Sequence, residues 1–304
     1  FLLLSLAPVA GAAPARPRDI IDAASSAGSS TERSARPHYT IDATLDYAAA
    51  RLKASQTAVV PNTTGKPLTS LVFHVVPAHF RAFELADVRI DRAPVDPRWN
   101  GTVLELPLPT ALAPDMRVSV SFDFAVTVPR PGNFRFGVGQ GIVALGNFYP
   151  VLAVWRGHDW DRHPYTDVGD AFFTDVADYA VTVRTAPEVT LAHTGDLLSR
   201  EGGVWRIRAE RVRDFALAAS DRYVRQTATV DGITLVAYFL PEHREAASEY
   251  LATGVPLLRW ANANLGRYPS STLTIAETYS GDPLGVGQEY PGLVFIGTVA
   301  TLSG

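Results

Sequence analysis

The chain has 304 residues, 47% of them hydrophobic and 19% charged, and a formal net charge of −4. That length allows two domains and a sizeable core. The slight acidity and the lack of any Lys/Arg block argue against nucleic acid as a partner, and the absence of cysteine excludes disulfides, thiolate metal sites and cysteine nucleophiles.

The first residue is Phe1 and the one methionine is Met116, which reads as part of a longer chain. Residues 1–13, FLLLSLAPVAGAA, are almost wholly apolar. With Ala10-Gly11-Ala12 or Ala13-Pro14-Ala15 as the small-residue cleavage pattern, residues 1–15 are expected to be a signal-peptide remnant. That expectation makes the protein exported, either secreted or held in the cell envelope. A truncated membrane anchor is the rival, although the visible run is shorter than the ~20 residues that span a bilayer. Residues 16–36, rich in Ala, Ser, Arg and Pro, read as a flexible linker.

From His38 the pattern changes. Tyr39, Ile41, Ala43, Leu45 and Tyr47 alternate with mostly polar neighbours, as in a half-buried strand. Leu71, Phe73 and Val75 repeat the pattern, then Val118, Val120, Phe122 and Phe124, then Tyr179, Val181 and Val183. Turn signals separate the runs at Pro61-Asn62, Asn100-Gly101, Pro114-Asp115, Pro131-Gly132 and Asp231-Gly232. Many short strands with no intervening helix predict a mostly β domain over 37–226, an antiparallel sandwich or layered sheets.

Residues 227–304 are different. Ala247, Tyr250, Leu251, Gly254, Leu258, Ala261 and Leu265 recur at three- and four-residue spacing and predict an amphipathic helix over 241–265. Pro241 suits its first turn and Gly266 its C-terminal cap, while Pro256 is expected to kink or split it. A short strand, Leu273 to Ala276, follows, as at the opening of an α/β domain.

Several motifs have plainer explanations than a site. GVGQGIVA, 137–144, meets a loose dinucleotide fingerprint, but no helix follows it, so a glycine-rich hairpin is expected. HDWDRHPYTDVGD, 158–170, has two histidines and four aspartates, yet their spacing fits neither a helical zinc pair nor a calcium loop. It is expected to be a solvated loop. Trp155 and Trp160 beside it suit a sugar platform or, more commonly, packed aromatics. Neither G-x-S-x-G nor H-E-x-x-H occurs, so the chain holds no recognisable catalytic residues or metal ligands.

Glu289 lies in GVGQEYPGLVFIG, 285–297. Glycines at 281, 285, 287 and 292 let backbone approach a ligand closely, and Pro291 forces an extended path through Tyr290. The apolar run Leu293–Ile296 suggests that the carboxylate is held close to buried structure, where it can pair with a cationic group.

This stretch resembles the exopeptidase signature of the aminopeptidase N-type zinc metallopeptidases, a gluzincin family, whose bacterial members often read Met-Glu-Tyr-Pro-Gly-Leu. The resemblance runs from about Tyr39 to Gly297. It takes in DYAAARLKASQTAVVPNTTGKPLTSLVFHVVP, VRDFALAAS at 212–220 and ANLGRYPSSTLTIAE. It implies a saddle-shaped β-sandwich domain followed by the truncated start of a thermolysin-like α/β catalytic domain. It implies that Glu289 binds the free α-amino group of a peptide substrate, with Gly287, Gln288 and Tyr290 along the substrate as a strand partner. The family's zinc motif follows the signature glutamate by roughly thirty residues. One zinc ion is therefore expected to be bound by residues beyond Gly304, and the chain alone is expected to be inactive.

Two departures stand out. Val286 and Gln288 replace the usual glycine and methionine, and in ALGNFYP only Asn147 stands near the place of the family's amine-binding glutamine. The function implied is an exported zinc aminopeptidase acting on peptides with a free N-terminus. A non-catalytic scaffold or binding protein on the same fold is the alternative, and a sugar-binding sandwich is a third.

Overall fold

The computed structural model describes residues 35–166, 173–279 and 287–297. Expectations for the leader 1–15, for residues 16–34, and for Asp167, Asp170, Gly281, Gly285 and Val286 lie outside them. In chain order the first strands are β1 (His38–Asp46), β2 (Arg51–Pro61), β3 (Leu68–His74), β4 (Phe83–Ile90), β5 (Ala93–Pro94) and β6 (Arg98–Asn100). Next come β7 (Val103–Leu112), β8 (Arg117–Thr127), β9 (Phe136–Gly139), β10 (Ile142–Leu145) and β11 (Val151–Leu152). Then follow β12 (Ala177–Arg184), β13 (Thr190–His193), β14 (Asp196–Glu201), β15 (Val204–Val212), β16 (Leu217–Ser220), β17 (Val224–Val230) and β18 (Ile233–Phe239). A 3-10 turn (Pro241–His243) enters helix α1 (Arg244–Asn264), and β19 (Thr272–Thr278), β20 (Gly287–Tyr290) and β21 (Leu293–Gly297) complete the series.

Period-two alternation in β1 buries Tyr39, Ile41, Ala43 and Leu45 and leaves the residues between them exposed. This strand lies inside an eight-stranded sheet of order β14-β15-β12-β1-β2-β8-β4-β5. The sheet's inner face packs on two four-stranded sheets, β13-β16-β10-β9 and β11-β3-β7-β6. One core cluster joins Tyr39 and Ile41 to Phe73 of β3, Leu145 of β10 and Leu217 of β16. Each such buried side chain contributes about 1.5–3 kcal/mol.

The layers are not purely antiparallel. β1 and β12 run parallel, with Tyr39 beside Tyr179 and their rings stacked 4.9 Å apart. The reason is the long excursion between them, β2 to β11, which lets the chain return from either end. A hairpin could not.

The β13-β16-β10-β9 sheet is covered on both sides. Val143, Leu145, Leu217 and Ala219 face the large sheet. Ile142, Ala144, Ala216 and Ala218 meet Leu240, Ala276, Tyr290, Leu293 and Phe295. Hence IVAL and LAAS are buried throughout and do not alternate, and their alanines allow close approach.

The last sheet has the order β17-β18-β19-β21-β20. β18, β19 and β21 are parallel, and α1 is the crossover between β18 and β19. Ala247, Leu251 and Leu258 of α1 pack on Leu235, Phe239 and Ile275. The change of sheet falls between β16 and β17, so residue 227 already lies within a strand of the last sheet.

Helix expectations at Pro241 and Leu265 need correction, and at Pro256 the helix is not split. Pro241 sits in the 3-10 turn ahead of the helix, not in its first turn. Pro256 lies inside α1 without ending it; Pro256 and Ala252, whose carbonyl it leaves unpaired, are both exposed, and water can satisfy that oxygen. Leu265 is 77% exposed, because the buried stripe ends at Leu258. Gly266 does follow the C-cap with φ 107°.

Candidate substrate-anchoring site

Among the described residues strand β20 is the outer edge of the last sheet and is paired on one side only, antiparallel to β21, with Glu289 opposite Val294. Pro291 and Gly292 make the turn between them. Gly292 has φ 74°, the position-two geometry of a type II turn with proline first. The sequence EYPGL therefore fixes where the strand ends.

Alternation then decides which residues face outward. Gly287 and Glu289 are exposed, while Gln288 and Tyr290 are buried, 8% and 5% exposed. The four expected site residues thus do not form one surface. Among the described residues Gln288 makes only a long contact from Nε2 to the Glu289 carbonyl, 3.4 Å. Glu289 is also less enclosed than expected: among the described residues its carboxylate has no ion-pair partner, and it projects from the exposed face of the strand. A one-residue offset in a strand reverses every side chain, so the buried tyrosine at 290 is what holds 289 outward.

Tyr290 packs edge-on to Phe295, with centroids 5.1 Å apart. Its hydroxyl is buried and has no hydrogen-bond partner among the described residues, and burial raises the phenol well above its ordinary pKa. That hydroxyl reaches Gly146, just past β10: a β-carbon there would overlap it and lie 2.8 Å from Cζ. Tyr279, just past β19, meets Gly139 in the same way through its Cβ and Cγ. The sequence stretch GVGQGIVA is indeed a hairpin, β9 and β10 around Gln140 and Gly141 with φ 51° and 78°. Sequence reasoning missed these contacts; the signal was the extra glycines in a run otherwise made of strand formers.

Asn147, next to Gly146, is buried with φ 52° and donates its side-chain amide to Asp214 Oδ2. Asp214 Oδ1 also accepts from Tyr149 Oη at 2.8 Å and from the Phe215 N–H at 2.7 Å. Burial raises the Asp214 carboxyl to about 6 despite those lowering hydrogen bonds.

The acidic stretch at 158–170 assembles no site among its described residues. Asp161 takes Arg156 Nη2 at 2.7 Å and His163 Nδ1 at 2.6 Å. Arg162 pairs with Glu105 at 2.9 and 3.2 Å. Trp155 and Trp160 meet edge-on, and Trp160 is 7% exposed with Nε1 donating to the Ser70 carbonyl at 3.0 Å. They are packed aromatics, Trp160 buried in the core and Trp155 half-buried against it. Among the described residues no three His, Asp or Glu side chains are grouped to hold a metal ion.

No protein-family model and no curated protein matches this sequence. Solved structures do match. An M1 zinc metallopeptidase from Deinococcus radiodurans aligns with TM-score 0.59 at 16% identity, covering 87% of this chain and 60% of that one. A variant of a two-domain M1 zinc metallopeptidase bound to L-tryptophan aligns at 0.59 and 15% identity, covering 87% and 61%. A variant of the Deinococcus radiodurans enzyme bound to the substrate Tyr-Ser-Ala aligns at 0.55 and 16%, covering 85% and 60%. The chain therefore has the fold of the M1 zinc metallopeptidases, the aminopeptidase N type, and spans about 60% of the length of these structures. The β domain leading into an α/β sheet, anticipated from the sequence, agrees with that fold.

Proposed function

We propose that this chain is the substrate-gripping portion of an exported zinc-dependent aminopeptidase, with Glu289 anchoring the α-amino group of a peptide. One observation carries it: in a fold shared with M1 zinc metallopeptidases, an exposed carboxylate with no ion-pair partner among the described residues projects from the edge strand β20. A peptide laid along that edge finds unused backbone hydrogen-bonding groups, the usual mode of strand addition. Its α-amino group, with a pKa near 7.7–8.0, is largely cationic at neutral pH and suits the carboxylate. Gly287, on the same face, leaves room for the backbone to approach, while Gln288 and Tyr290 support the strand from behind. The peptide ligand in one structural neighbour is of the same class. Zinc would be held outside the described residues, and export rests on the apolar run at 1–13.

The test uses the full gene product supplied with zinc and a short peptide in free and N-acetylated forms. The proposal expects release of the N-terminal residue from the free form only. Equal cleavage of both, or no cleavage by folded, zinc-supplied protein, would overturn it in favour of a non-catalytic scaffold.

A further inference from the structure

Two tyrosines that flank Glu289 in the sequence meet one element of the β domain. Tyr279 leads out of β19 and Tyr290 ends β20, and both rings seat against the β9–β10 hairpin, at Gly139 and Gly146. Neither glycine has a positive φ, so conformational freedom does not explain them. Space does: a β-carbon at either would overlap a tyrosine. Glycine weakens a strand by roughly 0.5–1 kcal/mol relative to alanine, so the hairpin gives up stability at Gly139, within β9.

The hairpin is itself fastened. The Gly141 carbonyl accepts from Tyr47 Oη and from Ser220 Oγ. The Gln140 carbonyl accepts from Arg222 Nη1 at 3.3 Å, and Arg222 Nη2 holds both oxygens of Glu242, at 2.7 and 2.8 Å. Glu242 lies in the turn that enters α1, so the hairpin is tied to both domains. Among the described residues the Tyr290 hydroxyl has no hydrogen-bond partner, and packing holds that ring in place.

We propose that Gly139 and Gly146 are positioning residues: by admitting Tyr279 and Tyr290, the β9–β10 hairpin sets the register of β20 and thereby the outward aim of Glu289. The link to catalysis rests on the aminopeptidase reading; the link to strand order does not.

The experiment compares Gly146→Ala, Gly146→Ala with Tyr290→Phe, and Gly203→Ala in the full gene product. Gly203 serves as a remote control, since a β-carbon there meets the Thr185 carbonyl on another hairpin. Hydrogen exchange is read at the amides of 287–290, and kcat and KM on a free-amine peptide. Gly146→Ala should speed exchange there at least tenfold and lower kcat/KM at least tenfold. Adding Tyr290→Phe, which removes the worst overlap, should recover half or more of the exchange effect. Gly203→Ala should leave exchange at 287–290 unchanged at a comparable loss of Tm. Unchanged exchange in Gly146→Ala, no recovery in the double variant, or an equal rise in Gly203→Ala would overturn the proposal. If the wild type hydrolyses no peptide, the aminopeptidase reading falls while the exchange results still decide the clamp.

Discussion

Replacing Asp214 with asparagine should change how stability depends on pH. The carboxylate is 6% exposed and takes three donors, from Tyr149, Phe215 and Asn147, yet burial outweighs them and raises it from 3.8 to about 6. A carboxyl raised by folding binds its proton more tightly in the native state. Stability from this group is therefore fully present below about pH 4 and is lost as pH rises through about 6. At 1.36 kcal/mol per pH unit, the interval from 3.8 to about 6 corresponds to about 3 kcal/mol. Urea unfolding of wild type and Asp214→Asn at steps from about pH 4 to about pH 7.5 isolates this group from the other titrating residues. The wild type should lose about 3 kcal/mol relative to the variant across that range. A constant difference, or a wild type that gains with pH, would show that the three donors hold the carboxyl down and would refute the reasoning.

Trp160→Ala should cost about 3 kcal/mol or more in urea unfolding, because it empties a buried site and orphans the Ser70 carbonyl; a loss below about 1 kcal/mol would mean that the ring is not packed as described. Glu277, fully buried, accepts from the Leu240 N–H at 2.8 Å and pairs with His243 Nδ1 at 2.7 Å. Glu277→Ala leaves both without a partner at the entry to α1 and should cost about 3 kcal/mol, read by thermal or urea unfolding. Stability within about 0.5 kcal/mol of wild type would contradict that account.

Strand faces were legible in the sequence, and strand neighbours were not. The alternation of Tyr39, Ile41, Ala43 and Leu45 gives the buried face of β1 but says nothing about direction, so its parallel pairing with β12 had no local signal. IVAL and LAAS hid the middle layer, since a strand covered on both faces has no period to read. The hairpin at Gln140-Gly141 was legible because two residues with positive φ need that chemistry. Glu289 stood out through its glycines and Pro291. That Gln288 and Tyr290 face inward, opposite to Glu289, follows from period two, once 287–290 is known to be a strand at a sheet edge. Asp214 gave no warning: its environment comes from Asn147 and Tyr149, more than sixty positions away in sequence. The helix was clear from its spacing, but which of its apolar residues would find a partner was not, as the 55% exposure of Trp260 illustrates.

The role of Glu289 is tested most directly by kcat/KM of Glu289→Ala in the full gene product, measured on a peptide with a free N-terminus. The carboxylate is exposed in the free protein, and on the proposed reading it would be covered by substrate lying along β20. Truncating one partner of such a desolvated charge pair costs about 2–5 kcal/mol. The account predicts a fall of roughly 30-fold or more, the lower end of that range. An unchanged kcat/KM would contradict it.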